Sequence, residues 1–70
     1  MAETSMKTYR LRARLSVAQL ARLAQVDDTT VRRAENGQPV QEVKAFGIAE
    51  ALSQQLGQNL SIEDLGIVIY

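Results

Sequence analysis

Apolar positions along the chain fall into short groups of helical spacing, with few breaks between them. Gly37, Pro39, Gly57 and Gly66 supply the punctuation. Between Lys7 and Leu15 the pattern supports two periods. Tyr9, Leu11, Ala13 and Leu15 alternate with Arg10, Arg12 and Arg14 as in a strand, whereas Met6, Tyr9, Arg10 and Ala13 pair as in a helix. Arginine, leucine and alanine favour helix, and Tyr9–Leu15 holds no β-branched residue, so helix is the expectation.

Ser16 followed by Gln19 forms a capping box, in which each side chain satisfies a backbone N–H at a helix start. Leu20, Leu23 and Ala24 then share a face. A third helix begins at Asp27, whose carboxylate suits a cap, and runs through Val31 and Ala34 to Asn36, with Gly37 as its stop. Gln41–Leu56 reads as the longest helix, with Val43, Phe46, Ile48, Ala49, Leu52 and Leu56 as a broad apolar face. Gly47 inside it costs roughly 1 kcal/mol relative to alanine, a choice that a close helix contact would explain. Ser61 caps a short turn, Ile62–Leu65, and Ile67–Tyr70 reads as a strand or extended tail. The pattern predicts one all-α domain over residues 1–70, a compact bundle of four to five short helices. Its core spans about residues 9–65, and residues 66–70 form a tail with room for a short strand.

Composition narrows the chemistry. The chain contains neither cysteine nor histidine, which excludes disulfides and argues against a transition-metal site; no metal and no cofactor is expected. Carboxylates are plentiful, yet no pair is marked as an acid–base couple, and Ser16 has no base in any recognisable motif. No catalytic residue and no enzymatic activity are expected. No apolar run approaches the roughly 18 residues of a membrane span, and the polar start, Met1–Lys7, lacks the apolar segment of a signal peptide. A cytoplasmic protein is the expectation.

Net charge is zero, but it is unevenly spread. Residues 1–33 carry seven basic and three acidic side chains, and residues 34–70 carry one basic and five acidic. One end of the fold is thereby suited to face phosphates.

Two short helices joined by a tight turn, with others packed behind, make a helix-turn-helix, whose second helix enters the DNA major groove. Leu20, Ala21, Ala24, Val26, Val31 and Ala34 are placed to close the inner seam of such a unit. Thr29, Thr30, Arg32 and Arg33 are left for the outside. The stretch Ser16–Gly37, SVAQLARLAQVDDTTVRRAENG, resembles the helix-turn-helix of the Cro and phage-repressor type, the XRE family. The resemblance rests on Ser16, Leu20-Ala21, Leu23-Ala24, Val26, Thr30-Val31, Arg33 and Glu35-Asn36-Gly37. Ile48–Leu52 and Leu60–Leu65 are similar to the family's fourth and fifth helices.

That resemblance implies a lambda-repressor-like bundle, double-stranded DNA as partner, and transcription regulation by a dimer. It makes Asp28–Ala34 the recognition helix, with Asp28, Thr29, Arg32 and Arg33 toward base edges or flanking backbone. The N–H groups at Ser16 and Val17 would meet a phosphate, and Asn36 and Lys44 would hold the other side of the backbone. Arg10 and Glu35 stand where the family often has a structural ion pair. The chain departs from the pattern at Val17, where glutamine is common, and at Arg14 and Gln25, where glycine is. Asp27 and Asp28 put two acids where phosphates approach. Val17, Asp27, Asp28 and the zero net charge favour an alternative, a protein-interaction or antitoxin-like module with weak or no DNA binding. Ile67, Val68, Ile69 and Tyr70 left in water would form an aggregation-prone edge, so they should be covered, either by pairing with a second copy or by packing back on the chain, beside Tyr9–Ala13 if that segment is extended.

Overall fold

A 70-residue chain without disulfides must close its core with side chains that let short helices approach closely. In the computed structural model, which describes residues 5–70, five helices do this. They are α1 (Ser5–Arg12), α2 (Val17–Ala24), α3 (Asp28–Glu35), α4 (Glu42–Leu56) and α5 (Ile62–Leu65). The longest, α4, packs against each of the other four. Met6, Leu20, Val31, Ile48, Leu52 and Leu65 are fully buried, so every helix delivers at least one large side chain to a single core. Met1–Thr4, the polar start of the chain, lies outside the described residues.

Each helix closes by the same device. After α1 the N–H of Leu15 donates to the Arg10 carbonyl and that of Arg14 to the Leu11 carbonyl; after α2, Val26 and Gln25 return likewise to Ala21 and Arg22. This motif needs one residue in the left-handed conformation, normally glycine. Arg14 and Gln25 adopt it here, both at φ 60°, at a cost of about 1–2 kcal/mol each. The segment Lys7–Leu15 is therefore helical only to Arg12, and its strand-like alternation has no structural counterpart. The expected helix start at Gln41 shifts by one residue, Gln41 serving as the N-cap of α4.

Gly47 has the close contact that its presence inside a helix suggests. A Cβ at that position would lie 2.8 Å from the backbone oxygen of Ala24, so α4 approaches α2 as nearly as backbones allow. The small residues Ala21, Ala24, Ala45, Ala49 and Ala51 are buried in the core beside half-buried Gly47. This packing turns Ala45, Ile48, Ala49 and Leu52 inward and leaves the opposite side of α4 to solvent. Val43 (78% exposed) and Phe46 (63% exposed) are consequently outside the core, contrary to the expected apolar face, and Leu56 is half-buried. The broad stripe of the sequence exceeds what one close contact can cover.

The connection from Gln54 to Asn59 is fastened by Ser53, whose hydroxyl donates to the Ala49 carbonyl (2.7 Å) and accepts from the Leu60 N–H (3.0 Å). Ser61 then opens α5 with a reciprocal cap to Asp64. The Ser61 N–H holds the Asp64 carboxyl below its ordinary value. Beyond Gly66 the tail bonds back to its own chain at Val40; Tyr9–Ala13, which would have to be extended to pair with it, is helical to Arg12. The Val40 N–H donates to the Val68 carbonyl (2.9 Å) and the Tyr70 N–H to the Val40 carbonyl (3.2 Å), a single parallel bridge between Val40 and Ile69. Among the described residues no strand forms; the expected C-terminal strand amounts to that bridge.

Candidate nucleic-acid interface

The inner face of α3 is set by burial. Thr30, Val31, Ala34 and Glu35 are buried against α1, α2 and α4. Thr30 was expected outside; it is inside because its hydroxyl donates to the Asp27 carboxylate (2.6 Å), which removes the penalty of burying it. With 100° per residue, the remaining positions Asp28, Thr29, Arg32, Arg33 and Asn36 form one exposed face. All five residues expected on the recognition helix or at its end thus share a surface.

The arginines on that face differ. The Arg33 guanidinium donates to the Pro39 carbonyl (2.9 Å), which ties it to the turn between α3 and α4. Arg32 is exposed, and its guanidinium has no hydrogen-bond or ion-pair partner among the described residues. Nothing in the sequence marks the Pro39 carbonyl as an acceptor, so the two side chains read as equivalent until the turn is seen.

Asp27 opens α3 without bonding a backbone N–H through its side chain, contrary to the expected cap. Its carboxylate takes the Thr30 hydroxyl instead. That bond foremost, then the nearby backbone N–H of Asp27 itself, and to a smaller degree the charge of half-buried Lys44, holds the Asp27 carboxyl below its ordinary value. Asp27 therefore stays ionised at neutral pH. The stability this gives is present above the ordinary carboxylate range and is lost as pH falls through the lowered folded value.

At the start of α2 the capping box is complete. The Ser16 N–H donates to Gln19 Oε1 (2.8 Å), and the Gln19 N–H to Ser16 Oγ (3.1 Å). The Leu20 N–H bonds the Ser16 carbonyl, which leaves Val17 and Ala18 to present the open N–H groups of the helix. Ser16 retains a hydroxyl proton to donate, but its N–H is engaged. Ala18 is the residue that the sequence reading did not single out. Behind the interface, Arg10 and Glu35 are both buried and ion-paired, with the Arg10 Nε donating to Glu35 Oε2 and an Nη to Oε1 (3.4 Å). A second Nη donates to the Leu15 carbonyl (2.9 Å), so Arg10 joins the end of α1 to the end of α3.

Among the described residues no cluster of ligand side chains suits a metal ion, and no helix is long and apolar enough to cross a membrane. A family model described as a helix-turn-helix domain matches residues 5–57, from the start of α1 to the residue closing α4. No curated protein and no solved structure matches the chain significantly.

Proposed function

The chain belongs to the helix-turn-helix domain family, within the Cro/XRE-type group, and from that premise we propose that it is a sequence-specific transcriptional regulator that binds double-stranded DNA as a dimer. The observation that carries this reading is the division of α3 into a fully packed inner face and an outer face of Asp28, Thr29, Arg32, Arg33 and Asn36. Laid in the major groove, that face puts Arg32 toward base edges, where a guanidinium reads guanine through paired bonds to O6 and N7. Arg33, tethered to Pro39, flanks the groove and meets backbone. Thr29 and Asp28 lie beside Arg32, with Asp28 suited to accept from a cytosine amino group. Ser16 and Val17 meet one phosphate, through a hydroxyl and a helix N-terminal N–H. Asn36 and Lys44 hold the backbone on the other side.

The dimensions of the protomer accord with a dimer. One protomer measures 27 × 20 × 19 Å, less than the roughly 34 Å between half-sites one DNA turn apart. One module also gives limited affinity, so a second copy joined through Ile67–Tyr70 supplies the other half-site. A cytoplasmic location accords with this role. The competing reading, a protein-interaction or antitoxin-like module, is favoured by zero net charge and by Asp27 and Asp28.

The two arginines test the assignment. Against a duplex enriched from a random pool, Arg32→Ala is expected to weaken binding by roughly 1–3 kcal/mol and to relax preference at one base pair. Arg33→Ala should weaken all duplexes more evenly. If Arg32→Ala leaves both affinity and preference unchanged, Arg32 is not the base reader.

A further inference from the structure

The bridge to Val40 fixes how the backbone of the tail is oriented. Val40 uses the carbonyl of Val68 and the N–H of Tyr70, so both polar groups of the intervening Ile69 point away from it. Among the described residues neither the N–H nor the carbonyl of Ile69 has a hydrogen-bond partner. Ile69 (42%) and Val68 (44%) are about half exposed, and Tyr70 (77%) more so. Edges of this kind are usually blunted by lysine, proline or a bulge. Ile67-Val68-Ile69-Tyr70 carries none of these and no charged side chain.

We infer that the tail pairs antiparallel with the tail of a second copy, with Ile69 on the two-fold axis. This rests on the dimeric reading above and specifies its seam. An antiparallel pair centred on one residue lets each Ile69 N–H donate to the other copy's Ile69 carbonyl, so the one unpaired donor and acceptor satisfy each other. The same register sets Val68 directly opposite Tyr70 of the other copy, twice. Aromatic and β-branched residues facing one another across strands are a favourable combination. With no charged side chain in the segment, pairing with itself brings no like-charged side chains together. A second copy is thus the partner that this edge fits without any further feature.

The chain has no cysteine, so single cysteines report the register cleanly. At a hydrogen-bonded antiparallel pair the Cα atoms lie about 5.5 Å apart, within disulfide range. Ile69→Cys should therefore oxidise to a covalent dimer almost completely. Val68→Cys should not, because that residue and its own copy lie on a diagonal about 7–8 Å apart. A mixture of Val68→Cys and Tyr70→Cys proteins should cross-link heterotypically. Ile69→Pro removes the donor but none of the groups that bond Val40. It should keep the helical circular dichroism of the parent, sediment as a monomer, and bind the enriched duplex at least tenfold more weakly. Preferential cross-linking of Val68→Cys, or an Ile69→Pro protein that remains dimeric, would overturn the seam. Duplex binding is scored separately. A cross-linked Ile69→Cys dimer that binds no duplex leaves the seam standing and sinks the DNA-binding reading, and a monomeric parent that binds duplex does the reverse.

Discussion

Arg10→Met should remove about a third or more of the protein's stability and lower its melting midpoint sharply. The substitution strands Glu35 as a buried carboxylate and takes a donor from the Leu15 carbonyl. Breaking a buried pair from one side costs about 3–5 kcal/mol. A 70-residue domain has only about 4–10 kcal/mol of stability in total. Each kilocalorie lowers the melting temperature of so small a domain by about 4–8 °C, so the midpoint should fall by more than 10 °C. Arg12→Met provides the comparison. Arg12 is exposed and stacks over the Tyr9 ring at 5.3 Å, a contact worth about 0.5–1 kcal/mol. Adding Glu35→Leu to Arg10→Met should recover much of the loss, since two apolar side chains leave no buried charge. Equal midpoints for Arg10→Met and Arg12→Met, followed by circular dichroism, would remove the pair from the account.

Gly47→Ala should lower both stability and DNA affinity, although alanine is the better helix former by about 1 kcal/mol. The new methyl carbon would stand 2.8 Å from the Ala24 carbonyl oxygen, and that atom is backbone, so only a shift of α2 relative to α4 relieves the clash. Overpacking of this kind costs about 1–3 kcal/mol. Gly47→Leu should cost more. The shift also displaces the first helix of the DNA-binding unit from Lys44, so affinity for an enriched duplex should fall even where the protein remains folded. An alanine variant with a raised melting temperature would show that the two helices have room to spare.

The helix order, the Ser16–Gln19 capping box, the Ser61 cap and the Gly47 contact were legible in the residues themselves, because each depends on a residue type at a local position. The Arg10–Glu35 pair was legible only through the family resemblance, since its partners stand 25 positions apart. Val43 and Phe46 were not. Hydrophobicity fixes a stripe, but which part of a wide stripe turns inward depends on the neighbouring helix, and here Gly47 and Ala24 decide it. Thr30 was misplaced for a similar reason: a threonine is polar until a partner such as Asp27 satisfies it. Arg14 and Gln25 close helices where glycine is usual, so the end of α1 carried no signal. The candidate interface was legible as a set of residues on one helix face. The difference between Arg32 and Arg33 was not, because it arises from a carbonyl in the following turn. The tail's chemistry pointed to a covered edge, but the bridge to Val40 links residues about 30 positions apart and has no local sequence signature.

Selection of binding sites from a pool of random DNA duplexes by the unmodified protein tests the central claim most directly. With the outer face of α3 reading the major groove and two copies bound together, the enriched sequences should contain two related half-sites about 10 base pairs apart, centre to centre. Affinity for them should fall steeply as salt rises from 50 to 200 mM, since Lys44, Arg33 and the start of α2 release counterions from phosphate. If no sequence is enriched and the protein passes over DNA without retention at low salt, α3 does not read DNA, and the protein-interaction reading takes its place.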